Sequence, residues 1–342
     1  MKVLVVKLSS LGDVVHAMPA VQDLLRAVPG AQVDWVVESA FAPLVARCNG
    51  VARVIACDLR RWRKAPLAAQ TRAEWRAFKT ALQRDAYDAV IDLQGLTKSA
   101  LVSWLARTAP QGRRFGLANQ TDGSSFEAPA RWVADVAIAL EPHVHAVQRS
   151  RLLCAAALGY TVAGPATFGL KPGTLAVPHP VVGAANSFAP RKPCVALVHG
   201  SSRADKQWPL ASWVELGRRL NHSGFSVALA HGNAAEQATS QAIAAALDDA
   251  WVWPAMGLDA LVDTMAACAG VVGVDSGLSH IAVALDLPHV QIYNFDTAWR
   301  TGPPNTATGA APRQVSVFAT PQPAVDAVWQ AWESLATPVL CR

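Results

Sequence analysis

Two alternating patterns constrain this chain more than anything else in it. Short apolar runs with no polar face are each followed by a longer stretch of helical periodicity. Val3-Leu4-Val5-Val6 is apolar on both faces of an extended strand. Such a run belongs in a parallel sheet covered by helices on each side. The pattern predicts strands at 2–8, 32–38, 53–57, 87–93 and 113–117, with helical stretches near 14–28, 40–48, 72–85 and 97–107. In the third of these, Trp75, Phe78 and Leu82 form an i, i+3, i+7 stripe. From about 159 to 192 the alternation dissolves into Gly, Pro and Ala, as in a linker. It then restarts, with strands predicted at 194–199, 225–231, 270–274, 289–293 and 314–318. Helices are predicted at 210–222, 234–248, 258–268, 278–286 and 323–335. The expected class is therefore α/β, with a doubly wound parallel sheet in each half. The boundaries read as 1–165 for the first domain, 166–192 for the linker, 193–320 for the second domain and 321–342 for a closing helical segment. Ligands are expected in the cleft between the two domains.

With 52% hydrophobic and 16% charged residues over 342 positions, the chain is not a disordered one. No apolar run reaches the roughly 18 residues that cross a bilayer. The opening Met1–Lys7 is too short for a signal sequence, so a cytoplasmic protein is expected. Its cysteines are scattered, with no C-x-x-C pair and no Cys/His cluster at zinc spacing. Neither a disulfide framework nor a metal site is expected. Net charge is +5 but unevenly spread. Residues 1–171 hold 21 Lys and Arg against 13 Asp and Glu, while 172–342 hold 9 against 12. The first half alone is therefore expected to meet an anionic partner.

Four segments carry groups suited to chemistry, each just beyond a predicted strand, where open parallel sheets bind ligands. The first is Lys7-Leu8-Ser9-Ser10-Leu11-Gly12-Asp13. Asp13 there is either a helix cap or a carboxylate facing a ligand. The second, Arg60-Arg61-Trp62-Arg63-Lys64, sets four cations around one Trp, suited to phosphate or carboxylate. It is short, and no aromatic-rich strand follows to stack bases, so nucleic acid is not expected. The third is His199-Gly200-Ser201-Ser202-Arg203-Ala204-Asp205-Lys206-Gln207-Trp208-Pro209. Its hydroxyls, backbone N–H groups and lysine can hold a diphosphate without a metal. The fourth is Gly273-Val274-Asp275-Ser276-Gly277-Leu278-Ser279-His280, opening a helix whose N-terminus suits an anion. Glu236, after His231-Gly232-Asn233, either accepts from a ribose or favours a helix start. No G-x-G-x-x-G and no G-x-x-x-x-G-K-[ST] occurs, so no nucleotide cofactor is expected. No Asp-x-Asp occurs either, so a leaving diphosphate would be neutralised by Lys, hydroxyls and helix ends.

Taken together these segments resemble the lipopolysaccharide heptosyltransferases. The resemblance rests on Lys7-x-Ser9-Ser10-x-Gly12-Asp13 with His16-x-x-Pro19, the Arg60–Lys64 run and Asp92-Leu93-Gln94-Gly95-Leu96-x-Lys98-Ser99. It continues in Ser201-Ser202-x-x-x-Lys206-x-Trp208-Pro209 and Asp275–His280, so it spans nearly the whole chain in order. The Arg-Arg-Trp-Arg-Lys run favours the first enzyme of that family over the second, which acts on a heptose acceptor.

The resemblance implies a GT-B fold of two Rossmann-like domains facing a cleft, the C-terminal helix packing back on the first. It implies inverting, metal-independent transfer of L-glycero-D-manno-heptose from ADP-heptose to Kdo of Kdo2-lipid A, with no cofactor. Asp13 is then the general base, with Lys7 and Ser10 orienting it or steadying developing charge. Ser201, Ser202, Lys206, Gly277 and His280 meet the diphosphate, Glu236 the nucleoside and Asp275 the heptose hydroxyls. Arg60, Arg61, Arg63 and Lys64 meet Kdo carboxylates or lipid A phosphates, helped by Lys98, Arg113 and Arg114. The protein is expected to be a monomer on the cytoplasmic face of the inner membrane, held through its basic half and Trp62. One departure stands out: Asn294-Phe295-Asp296-Thr297 replaces the family's usual Gly-x-Thr-Asp-Pro turn. A non-catalytic protein binding a nucleotide sugar or glycolipid is the alternative on the same fold.

Overall fold

The computed structural model describes residues 1–173, 192–304 and 312–335. The chain divides into two compact units, Met1–Lys171 and Pro172–Arg342.

The first unit contains strands β1 (Lys2–Val6), β2 (Gln32–Glu38), β3 (Val51–Cys57), β4 (Ala86–Asp92), β5 (Arg107–Leu117) and β6 (Val136–Ile138). Its helices are α1 (Leu11–Ala27), α2 (Ala42–Val45), α3 (Leu59–Trp62), α4 (Ala69–Leu82), α5 (Thr97–Leu105), α6 (Ala128–Val133) and α7 (Ala146–Leu158). The strands pair in parallel in the order β3-β2-β1-β4-β5-β6. Val3 to Val6 are wholly buried, as a strand covered on both faces requires. On one face Leu4, Val6, Val36 and Val90 pack with Trp62, Phe78 and Leu82. The stripe read from residues 75–82 thus faces the sheet.

The second unit contains β7 (Cys194–Val198), β8 (Ser226–Leu229), β9 (Ala250–Val252), β10 (Gly270–Val274), β11 (His289–Tyr293) and β12 (Gln314–Phe318). They pair in parallel in the order β12-β11-β10-β7-β8-β9, flanked by α8 (Leu210–His222), α9 (Ala234–Ala244), α10 (Leu258–Ala266), α11 (Gly277–Ala284), α12 (Ala298–Thr301) and α13 (Val325–Glu333). Both sheets share one topology. Strand order reverses between β1 and β4 in one and between β7 and β10 in the other. At such a reversal the loops diverge and leave a crevice for ligand beyond the strand ends.

One boundary differs from the sequence reading. The first unit continues to Lys171, because Leu170 bridges Cys48 and the Lys171 N–H donates to Arg47 O at 3.1 Å. Phe168 and Leu170 are buried there, so 166–171 is not linker; positions 174–191 of the expected linker lie outside the described residues. The expected closing segment 321–342 includes α13, which packs on β11, β12 and α8 and puts its buried Val328 and Trp332 into the second unit's core. Its apolar face is used there, and residues 336–342 lie outside the described ones.

Candidate functional site

In the first unit the candidate site forms at the β1/β4 reversal. The loop leaving β1 is pinned before the helix starts. Gln94 Oε1 accepts the backbone N–H groups of Leu8 at 3.0 Å and Ser9 at 3.1 Å, and Trp35 Nε1 donates to Lys7 O at 3.1 Å. Asp13 sits in the first turn of α1. Its Oδ2 accepts from the Ser10 backbone N–H at 3.1 Å and the Ser10 hydroxyl at 2.9 Å, so it does cap the helix. Its Oδ1 meets Lys7 Nζ at 3.4 Å and Arg149 at 3.7 Å. The two readings of Asp13 are therefore compatible, one oxygen for each. Its side chain remains 37% exposed while Lys7 is sealed at 1%.

Burial opposes charge on Asp13, yet Lys7, His16, the Ser10 hydroxyl and Arg149 hold its carboxyl well below the usual range. Burial in turn presses the Lys7 ammonium down, partly offset by Asp13. Lys7 Nζ also donates to Leu93 O at 3.1 Å, which fixes its direction. Beneath it Asp92 accepts from the N–H groups of Gln94 and Gly95 and from Ser99 Oγ at 2.8 Å. Burial still leaves the Asp92 carboxyl above its ordinary range. Arg149, on α7, is the residue the sequence reading missed. It lies 136 positions from Asp13 on a helix without clean apolar periodicity, and its Nη1 donates to Thr121 at 3.2 Å.

The basic run falls on α3 and just beyond it. Arg60, Arg63 and Lys64 are exposed. Arg61 is already engaged, by Asp58 at 2.9 Å and by Glu74. Trp62 is no surface group: its Nε1 donates to Glu74 at 2.7 Å and its rings pack on Trp75 and Phe78. Trp62 therefore cannot be the membrane contact the sequence reading assigned it. Behind the run lies a cavity of about 970 Å³. Arg60, Arg63, Arg72, Arg76 and Lys98 supply its charge, and Leu59, Trp62, Trp75 and Leu96 are among its apolar walls. Lys98 Nζ donates to Ser9 Oγ at 2.6 Å, linking this cavity to the β1 loop. Arg113 and Arg114 are on β5, and Arg114 donates to Ser103 O and Ala106 O.

The second unit collects its predicted residues at the β7/β10 reversal. Lys206 Nζ contacts Asp275 Oδ2 at 2.5 Å, and His280 Nε2 lies 3.4 Å from Oδ1. Burial opposes charge on Asp275, but His280 and Lys206 hold its carboxyl well below the ordinary range. Ser201 Oγ donates to Asp275 O at 3.4 Å, Ser202 is exposed, and Gly277 opens α11. Glu236 Oε2 accepts the Gly232 N–H at 2.7 Å. A Cβ on Gly200 would lie 2.7 Å from Glu236 Cδ, so a larger residue there would have to push the Glu236 carboxylate aside. The divergent turn has its own use: Asn294 Nδ2 donates to Asp205 O and Gln207 O, both at 3.0 Å, and so braces the segment carrying Lys206. Among the described residues no group of three or more His, Cys, Asp or Glu could hold a metal ion.

Comparison with known proteins identifies the family. Residues 75–322 match glycosyltransferase family 9 (heptosyltransferase). The chain is 40% identical over 307 residues to lipopolysaccharide heptosyltransferase 1 of Pseudomonas aeruginosa, covering 88% of this chain and 81% of that one. Identity to lipopolysaccharide heptosyltransferase 2 of Escherichia coli is 28% over 313 residues, covering 86% and 82%. The structure of E. coli heptosyltransferase WaaC with ADP superposes with a TM-score of 0.83 at 32% identity, over 97% of this chain and 99% of that one. WaaC has also been solved with ADP-2-deoxy-2-fluoro heptose, at a TM-score of 0.78 and 34% identity over the same shares.

Proposed function

This chain belongs to glycosyltransferase family 9, the heptosyltransferases, and from that premise we propose inverting, metal-independent transfer of L-glycero-D-manno-heptose from ADP-heptose to Kdo of Kdo2-lipid A. Identity favours the type 1 enzymes over type 2. One observation carries the mechanism. Asp13 stands at the β1/β4 reversal with one oxygen held by Ser10 and the other turned toward Lys7 and Arg149.

In this reading Asp13 accepts the proton of the Kdo hydroxyl as that oxygen attacks the anomeric carbon. The C–O bond to the diphosphate breaks on the opposite face, which inverts the configuration and releases ADP. With its carboxyl held so low, Asp13 is a weak base in the free protein. An acceptor carboxylate beside the exposed edge of Asp13 would offset the positive field of Lys7 and Arg149 there and so raise its proton affinity. The diphosphate is received by Lys206, Ser201, Ser202, His280 and the N-terminus of α11 at Gly277. Lys206 then exchanges its bond to Asp275 for one to phosphate, and Asp275 turns to the heptose hydroxyls. Glu236 meets the nucleoside. Arg60, Arg61, Arg63 and Lys64 face the acceptor's anionic groups, Arg61 by exchanging Asp58 or Glu74 for them. The protein works as a monomer on the cytoplasmic face of the inner membrane, where an acylated acceptor lies.

The test is incubation with ADP-heptose and Kdo2-lipid A, following ADP release and the mass of the glycolipid. A gain of one heptose on Kdo2-lipid A, and none on an acceptor already carrying the first heptose, is expected. Transfer only to the heptosylated acceptor would make this a type 2 enzyme. ADP-heptose binding without release of ADP on either acceptor would make it a binding protein.

A further inference from the structure

Trp104 and Trp132 stand apart from the other tryptophans of this chain. Of its twelve, Trp35, Trp62, Trp208, Trp213, Trp253 and Trp332 are buried, and four more are half-buried. Trp104 and Trp132 are 63% and 77% exposed. Both lie in the basic first unit, on helices that pack together, α5 and α6. The two helices are joined at their starts, where the Thr97 N–H donates to Glu127 Oε2 at 2.7 Å and the Glu127 N–H to Gly95 O at 2.9 Å. One turn before Trp104 comes Leu101, 40% exposed, which also lines the cationic cavity. Leu67, 83% exposed, follows the lining residue Pro66. Exposed apolar surface therefore continues into the cavity wall. Arg63, Arg72 and Arg76 are exposed around that cavity, and Arg131 beside Trp132. The acidic lining residue, Glu127, is bonded to Thr97.

Large indole rings with a polar edge, set beside arginines, match the chemistry of a bilayer's headgroup layer. Arginine pairs with lipid phosphate, and neither signal alone gives firm attachment. No described helix is long and apolar enough to cross a membrane, so such a surface would lie on the bilayer.

We propose that the α5–α6 face seats in the headgroup layer of an anionic bilayer. Trp104 and Trp132 are its anchors, and Arg72, Arg76 and Arg131 meet lipid phosphates. This deepens the reading that the acceptor is lipid-borne, because it sets the cationic cavity at the depth where acceptor headgroups lie. Trp62, buried in the core, takes no part.

The test is co-sedimentation of the full chain with vesicles of phosphatidylglycerol and phosphatidylethanolamine, against phosphatidylcholine alone, for wild type and Trp104→Ser/Trp132→Ser. Wild type is expected on the anionic vesicles and to leave them as salt rises. The double variant is expected to bind them on the order of tenfold or more weakly, since two interfacial indoles are lost. Turnover of a deacylated, water-soluble acceptor should be unchanged, and turnover of the vesicle-embedded acceptor should fall. Equal sedimentation of the two proteins, or no binding of wild type to anionic vesicles, overturns the proposal. So does a lower assembly mass for the variant without any vesicle binding, which makes the face a contact between copies. Vesicle binding is read without substrate, so a failure of heptose transfer leaves this result standing, and the reverse.

Discussion

Arg151→Met should unlock the helix pair that holds the candidate base. Asp23, on the helix that carries Asp13, meets Arg151 on the helix that carries Arg149. Arg151 Nε donates to Asp23 Oδ2 at 2.6 Å and Nη2 to Oδ1 at 3.2 Å, with the side chains only 1% and 4% exposed. Nη2 also donates to Gly164 O at 3.1 Å. Removing Arg151 leaves a sealed carboxylate whose remaining cationic contact is Arg26 at 3.3 Å, itself 55% exposed. Breaking one side of such a buried pair costs about 3–5 kcal/mol. For a unit of 171 residues that is roughly a 10 °C fall in melting temperature. Calorimetry should show the fall in the first unit's transition alone. The double variant Asp23→Leu/Arg151→Met should recover most of it, because an apolar pair of similar volume is close to neutral. Transfer should slow in Arg151→Met even below its melting point, since Arg149 then loses its register on Asp13. A loss under about 1 kcal/mol, or no recovery in the double variant, would refute the reasoning.

Three further outcomes follow from particular side chains. Burial pushes the His289 imidazole down to about 4, its Nδ1 donating to Val271 O. The folded state therefore resists a proton that the unfolded chain takes up near 6.5. Stability is whole above that pH and declines by about 3 kcal/mol as pH falls to 4. Urea titrations at these pH values should show the slope in wild type, and its loss in His289→Gln. Gly273→Ala would place a Cβ 2.4 Å from Ser279 Oγ and 2.8 Å from Val198 Cβ in the middle of the sheet. A cost of about 1–3 kcal/mol is expected by chemical denaturation. Lys206→Met should weaken ADP binding by about 10- to 100-fold in calorimetry, the loss of one charge-assisted bond. Unchanged affinity would remove Lys206 from the diphosphate site.

The core strands were legible because both of their faces are buried, which leaves an unbroken apolar run as the signature. The candidate ligand segments stood out for a related reason: those after β1, β7 and β10 each follow such a strand beside a reversal of strand order, whereas the Arg60–Lys64 run follows β3 at the sheet edge and showed only through its charge. Other parts were hidden for physical reasons. β6 and β9 are three residues each, too short for any period to register. β5 spans Arg107–Leu117, but its first half is polar and irregular in register, so only 113–117 read as strand. Helix α7 buries Arg149 and Arg151, and charged residues on an inward face erase the apolar stripe that marks a helix. Arg149 was lost with it. Trp62 misled in the opposite direction. Four cations around it suggest surface, while Glu74, twelve residues on, takes its indole N–H and draws the ring inside.

The central claim is that Asp13 removes the acceptor proton. Its most direct test is single-turnover ADP release by Asp13→Asn with donor and acceptor saturating, alongside the affinity for ADP. The asparagine keeps an oxygen for the Ser10 cap and cannot take a proton. A rate lower by about 10²–10⁴-fold with ADP affinity unchanged is predicted. A rate within tenfold of wild type would contradict the account.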